Sequence, residues 1–292
     1  MADISGYLTS EVVVDYADGL IDRREALRRL ALLGVGAAVA VPMLAACESN
    51  GEPPAPAPSG SDVPAGLPTE AITFTGPRGT LQGAWAAAAD PKGSVLVIHE
   101  NRGLTDHIRS VAGRLAASGF SALAIDLLSE EGGTARFTDP AQATAALNAA
   151  APGRFVADLR AAVGELLRRV PGRQPAAMGF CFGGGMTWQL LAAGEPRLGA
   201  AAPFYGPFPD GGDLAGSKGA AVLGVYAGKD ARVNASRDAA TKALEKAGLT
   251  HEIVTYPDAD HAFFNDTGAR YAPQAAAQAY EQLIGWFTTH LR

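Results

Sequence analysis

The sequence predicts an α/β fold, a mostly parallel twisted sheet with helices on both faces. Three observations carry that expectation. From about residue 71 onward, short β-like runs alternate with helical ones, the pattern of a parallel sheet built from crossover units. One early run, Ser94–His99, is apolar from Val95 to Ile98, as expected of a strand covered on both faces. The whole chain of 292 residues is 48% hydrophobic and only 18% charged, which supports a substantial core and excludes wholesale disorder.

Taken in order, the chain begins with a leader. Residues 1–46 read as an export signal: Arg23-Arg24 and Arg28-Arg29 precede an uncharged Ala/Val/Leu/Gly-rich run from Leu30 to Ala46. Paired arginines point to the twin-arginine route, which carries folded cargo. The run ends in Leu44-Ala45-Ala46-Cys47, similar to a bacterial lipobox, whose cysteine is acylated and becomes the first residue. A signal-anchor helix is the alternative, though the run is short for a span of about 20 residues. The acidic stretch ahead of the arginines (Asp3, Glu11, Asp15, Asp18) is unusual for such a leader. Residues 47–70 then comprise the candidate lipidated Cys47 and a Pro/Gly/Ser-rich tether, a composition that stays extended and solvated. The predicted domain is 71–292, one unit of ordinary size.

Within it, Ala71–Thr75, Leu81–Ala87, Ser94–His99 and Phe120–Ile125 read as strands. Thr105 is placed to cap a helix whose face carries Ile108, Val111 and Leu115 and which ends near Gly119. Pro140–Ala150 and Phe155–Val170 read as helices; in the second, Val156, Leu159, Val163, Leu166, Leu167 and Val170 recur at helical spacing. Ala176–Phe180 is strand, Gly184–Ala193 helix, Ala200–Tyr205 strand and Ala221–Ala227 strand. Ser236–Ala247 is a helix stopped by Gly248, His251–Tyr256 a strand, and Pro273–His290 a closing helix.

Charge and cysteine content narrow the function. The 24 basic and 30 acidic residues give a net charge of −6, which argues against a nucleic-acid surface. Two cysteines, Cys47 and Cys181, exclude a disulfide scaffold and a multi-cysteine zinc site. His99-Glu100 does not continue as H-E-x-x-H, because position 103 is glycine. The other histidines lack a metal pattern, and His99, His107, His251 and His290 read as structural or surface residues.

In such sheets ligands bind at the carboxyl ends of strands. There the sequence has Gly179-Phe180-Cys181-Phe182-Gly183-Gly184, a G-x-C-x-G at a strand-to-helix turn. A nucleophile on a sharp turn projects from the sheet, and small neighbours let the backbone fold tightly. The helix N-terminus favours a thiolate, and the Phe182 N–H is placed to donate to an oxyanion. A small buried cysteine filling space is the bland alternative. The partners decide between them: Asp230 follows the strand Ala221–Ala227, and His261 follows His251–Tyr256, in the chain order nucleophile, acid, histidine. His261 would take the thiol proton and Asp230 would orient it. Asp258 and Asp260 lie too near His261 in sequence to come from a neighbouring strand.

Together with Val97-Ile98-His99-Glu100-Asn101-Arg102-Gly103 and His261-Ala262-Phe263, these motifs resemble the dienelactone hydrolase family, over roughly Ala71 to the C-terminus. The resemblance implies the α/β-hydrolase fold and a Cys-His-Asp triad that hydrolyses esters or lactones without a cofactor. It implies that Glu100 holds the resting thiol and helps generate the thiolate, a role open to a buried carboxylate beside a thiol. It also implies that the Asn101 N–H is the second oxyanion donor. An ion pair with Arg102 is the other reading of Glu100.

The sequence departs from the family where an anionic lactone would be gripped. The positions where that recognition uses arginine are Glu130 and Asn265 here. Arg102, Arg136 and Arg270 are candidate replacements, Arg102 and Tyr205 are candidate substrate contacts with packing the other reading of Tyr205, and Glu130-Glu131-Gly132-Gly133 suggests a flexible acidic mouth. The expected partner is a small ester or lactone, with no nucleic acid and with membrane contact only through the lipid anchor. The chain is expected to be an exported, lipid-anchored monomer. A non-catalytic hydrolase-fold surface protein and an acyltransferase or peptidase on this scaffold are the alternatives.

Overall fold

A computed structural model describes residues 4–17, 21–45 and 65–291. Cys47 and most of the Pro-rich tether lie outside the described residues. The strands are β1 (Glu70–Gly76), β2 (Gly79–Ala86), β3 (Gly93–Ile98), β4 (Phe120–Asp126), β5 (Pro175–Phe180), β6 (Ala200–Phe204), β7 (Ala221–Ala227) and β8 (His251–Tyr256). They form one 8-stranded sheet in the order β1-β2-β4-β3-β5-β6-β7-β8. The β1–β2 and β2–β4 pairs are antiparallel; from β4 onward every pairing is parallel. This is the α/β-hydrolase arrangement.

The helices are α1 (Ile4–Ala17), α2 (Arg23–Leu32), α3 (Ala37–Ala45), α4 (Asp106–Ala117), α5 (Pro140–Ala149), α6 (Pro152–Arg169), α7 (Phe182–Ala192), α8 (Ala231–Asn234), α9 (Arg237–Ala247) and α10 (Pro273–His290). The central strands β3, β4, β5, β6 and β7 are buried along their whole length. That accounts for their unbroken apolar runs, since helices cover both faces. Gly248 ends α9 in the left-handed region (φ 65°), as its position predicts. Thr105 does occupy the N-cap of α4, but its side chain makes no capping hydrogen bond.

The leader behaves differently from a simple linear signal. Its apolar run is broken between α2 and α3, so Leu30–Ala46 is not one helix. Among the described residues no helix is long and apolar enough to cross a membrane. Leu8, Val12, Ala26, Leu30, Leu33, Ala40 and Leu44 instead gather into a small core separate from the main one. This helical cap packs on α5, where Arg28 pairs with Asp139 at 2.6 Å. Residues 65–69, the last of the predicted tether, run beside α4, where the Leu67 N–H donates to the Gly113 carbonyl (3.0 Å).

Candidate active site

The site is assembled at the carboxyl ends of β3, β5, β7 and β8. Cys181 sits between β5 and α7 with φ 57° and ψ −116°, a conformation costly for any residue with a Cβ. The elbow is held by its neighbours: the Cys181 N–H donates to the Phe204 carbonyl (3.1 Å), and the Gly185 N–H to the Cys181 carbonyl (3.0 Å). A Cβ on Gly183 would run into the carbonyls of Ile98 and His99, and one on Gly179 into that of Gly183. Those glycines are thus required by backbone contact across the turn. Phe182 opens α7, so its N–H precedes the first bond within the helix.

His261 and Asp230 arrive as their order predicts. His261 Nδ1 donates to Asp230 Oδ2 at 2.5 Å, which leaves Nε2 directed toward the thiol side. Both residues are buried. Asp230 also caps α8 through the Val233 N–H (3.1 Å). Burial raises the Asp230 carboxyl, but the bond and charge of His261 outweigh it and hold it below its ordinary value. Lys229 pairs with Asp260 at 3.8 Å, which accounts for that rival acid.

The carboxylate at the thiol is not Glu100. Cys181 Sγ donates to Glu11 of α1, 3.5 Å from Oε1 and 3.4 Å from Oε2. His261 Nε2 lies 3.1 Å from Glu11 Oε1. Glu100 is buried at the end of β3 and accepts from Asn265 Nδ2 at 2.7 Å. The structure therefore corrects the expected resting partner of the thiol, and no ion pair joins Glu100 to Arg102 among the described residues. The physical reason is in α1, where Leu8, Glu11, Val12 and Asp15 fall at i, i+3, i+4 and i+7. All four are buried, so the inward face of the helix carries two acids.

Those acids are met by cations. Arg232 Nη1 lies 3.4 Å from Glu11 Oε2; Arg270 Nη2 lies 3.1 Å from Asp15 Oδ1, and Arg29 of the cap lies 3.6 Å from Asp15. Burial pushes the Glu11 carboxyl up, but His261, Arg232 and the hydrogen bonds it accepts hold it well below the carboxylate range. For His261 burial pushes down, yet Glu11, the thiol and Asp230 hold the imidazole well above its ordinary value. Burial and the Glu11 charge raise the Cys181 thiol, against the pull of His261. Glu11 therefore favours a proton on the imidazole, and burial with the Glu11 charge disfavours the thiolate.

The other expected positions divide. Asn101, Arg102 and Arg270 line a cavity of about 230 Å³ with Glu11, Asp15, Glu100 and Cys181. The Asn101 turn is pinned by Thr144, whose Oγ1 donates to the Asn101 carbonyl (2.9 Å). Tyr205 does not line that cavity. It is fully buried, and its ring stands edge-on to His261 with centroids 5.2 Å apart, so it packs against the histidine. The expected acidic mouth is also corrected: Glu130 pairs with Arg78 (2.5 Å), and Glu131 with Arg154 (2.6 Å), away from the cavity lining.

The lone histidines are structural. The Leu127 N–H donates to His99 Nε2 (3.1 Å) while His99 Nδ1 meets the Glu100 carbonyl (2.6 Å), tying the ends of β3 and β4 together. His107 pairs with Asp266 (2.8 Å), His251 bonds the Leu249 carbonyl, and His290 stacks near Trp286. Glu11, Cys181 and His261 offer ligand atoms within 4.8 Å of one another. That donor set has the composition a zinc ion takes, and the hydrogen bonds among the three account for the same spacing.

The sequence reading missed Glu11 and Arg232. The spacing of Glu11 and Asp15 on the apolar face of α1 was the available signal for the first. Arg232 lies on a four-residue helix with no periodicity to read.

Comparison with known proteins shows the family and the fold. The family model described as "Dienelactone hydrolase family" matches residues 81–291. A Salmonella typhi protein named "Putative carboxymethylenebutenolidase" is 33% identical over 253 residues, covering 80% of this chain and 92% of its own. An Escherichia coli (strain K12) protein of the same name is 32% identical over 265 residues, covering 84% of this chain and 97% of its own. The crystal structure of a "Putative Dienelactone Hydrolase" from Klebsiella pneumoniae superposes with a TM-score of 0.65 at 30% identity, over 75% of this chain and 98% of that one.

Proposed function

Because this chain belongs to the dienelactone hydrolase family, we propose that it hydrolyses small esters or lactones through a Cys181-His261-Asp230 triad. The observation that carries the reading is the buried His261–Asp230 bond beside Cys181 on its strained elbow. In the proposed reaction the Cys181 thiolate attacks the carbonyl carbon of the substrate. The thiol proton passes to His261 Nε2, while Asp230 fixes the tautomer through Nδ1. The Phe182 and Asn101 N–H groups stabilise the oxyanion, whose charge develops as the carbonyl becomes tetrahedral. The imidazolium returns its proton to the leaving alkoxide, and an acyl-thioester remains on Cys181. Water, deprotonated by His261, then cleaves the thioester and restores the thiol.

Glu100 stands in the cavity wall and adds negative charge near the sulfur, which raises the thiol's proton affinity. Arg102 and Arg270 supply positive charge on the same wall. The test is turnover of p-nitrophenyl acetate and of simple lactones by the full chain. Wild type should show turnover, and Cys181→Ala and His261→Ala should not. Equal rates in wild type and Cys181→Ala would remove the triad.

The leader carries a second part of the proposal. Arg23-Arg24, the apolar run to Ala46 and the position of Cys47 support export with acylation at Cys47. Membrane fractionation of cells expressing wild type and Cys47→Ala tests it. The variant should be released from the membrane fraction, and unchanged membrane association would exclude the anchor.

A further inference from the structure

We infer that the mouth of the catalytic centre is a docking surface for the chain's own acidic N-terminal helix, and that α1, seated there, holds the hydrolase latent for as long as the leader remains uncleaved. The inference rests on the reading of Cys181 as the nucleophile.

The first argument is steric. A carbonyl carbon must come within about 3–3.5 Å of the attacking atom, along a clear approach. The atoms at that distance from Cys181 Sγ are the carboxylate oxygens of Glu11, at 3.4 and 3.5 Å. The same carboxylate stands 3.1 Å from His261 Nε2, where a leaving group would collect its proton. Glu11 thus occupies both sides of the reaction at once. It also sits in the wall of the remaining cavity with Asp15, so part of the substrate space is closed by the helix itself.

The second argument is chemical. Cysteine attack needs a thiolate and a base free to take a proton. With α1 seated, the Glu11 carboxylate lies 3.1 Å from His261 Nε2, where it favours a proton on the base, and 3.4 Å from Cys181 Sγ, where its charge disfavours the thiolate. The carboxylate stands beside Nε2 in the place that a thiolate would take.

The third argument concerns how the helix is held. Its acids meet cations of the main domain, Glu11 at Arg232 and Asp15 at Arg270. Buried charge pairs of this kind fix register and orientation. Helix α1 belongs to no strand pairing and packs on α2, α3 and α5. The cap can therefore leave without any rearrangement of the sheet.

The test uses the full chain. Wild type and Glu11→Ala are compared for alkylation of Cys181 by iodoacetamide, followed by peptide mass, and for p-nitrophenyl acetate kcat/KM. Loss of one buried charge pair should free the mouth enough to raise both about tenfold. A second preparation carries a protease site in the tether, within 51–62; cutting it should raise both quantities in the otherwise wild-type protein. Thermal unfolding checks that the main domain is intact in each. Alkylation and turnover at or below wild type in Glu11→Ala and in the cut chain would overturn the proposal. Faster alkylation with no ester turned over by any preparation would support the docking and count against the hydrolase reading instead.

Discussion

The sheet domain and the helical cap bury side chains by opposite means. Around β3, β4 and β5, apolar residues such as Leu96, Leu123, Ile125 and Met178 are fully buried and form one continuous core. The cap has a handful of apolar residues of its own. Much of what joins it to the domain is charge: Glu11 to Arg232, Asp15 to Arg270, Arg28 to Asp139. Apolar burial is nondirectional and cooperative, so it makes a unit that opens only by unfolding. Charge pairing depends on pH and salt, so it makes a contact that can be undone while both sides stay folded. Permanence and reversibility are written into the residue types at the two interfaces.

Several measurements would break or sharpen that contrast. The largest effect belongs to the catalytic core. Cys181→Ala should abolish ester turnover, a loss of roughly 10³-fold or more, and Asp230→Asn should cost on the order of 10²–10⁴-fold in kcat by releasing the wrong histidine tautomer. Steady-state kinetics with p-nitrophenyl acetate reads both; a wild-type rate in either would remove that residue from the mechanism.

Next comes stability. Leu123→Ala in β4 should lower the stability of the main transition by about 2–5 kcal/mol, measured by urea unfolding. Leu30→Ala in α2 should leave that transition within experimental scatter while making the cap more susceptible to protease. If both shift it equally, the cap and the sheet are one cooperative unit.

A smaller effect is expected from pH. Glu11's carboxyl is held well below its ordinary value, so its contribution to docking is present above that ordinary value and lost as pH falls through the folded one. His261 is held well above its ordinary value, so its contribution is present below that and lost as pH rises through the folded one. Docking is strongest between these limits and weakens on the alkaline side. Limited trypsin cleavage at Arg23 and Arg24 should accelerate with rising pH in wild type relative to Glu11→Gln. Parallel profiles would mean that the pair does not hold the helix. The smallest effect is Tyr205→Phe, which keeps the ring against His261; kcat should stay within about threefold of wild type, and a larger loss would give the hydroxyl a role.

The uneven legibility of the sequence follows the same contrast. The bounds of β7, β8 and α10 were readable to the residue, because a covered apolar strand, an edge run rich in β-branched residues and a helix opened by Pro273 carry their signal locally. The triad order was readable because each member follows its own strand. Glu11 was not, since its partners lie 170 and 250 residues away and no local pattern announces a contact of that range. Asp230 and Tyr205 show the same limit at short range. Both positions were visible, but only packing shows that Asp230 orients the histidine while also capping α8, and that the Tyr205 ring stands against the histidine.

The cap carries one further consequence. While Leu8, Leu30 and Leu44 face inward, Leu32, Val39 and Val41 stand in water at 41%, 55% and 40% exposure. A helical cap with apolar groups facing both ways offers one surface to the domain behind it and a second to any host that accepts its outer side. If undocking is needed for the second host to grip it fully, the two equilibria are linked, and linkage is reciprocal. Whatever draws the leader away would favour an open catalytic centre. By the same free energy, a molecule bound over Cys181 would make the leader easier to take.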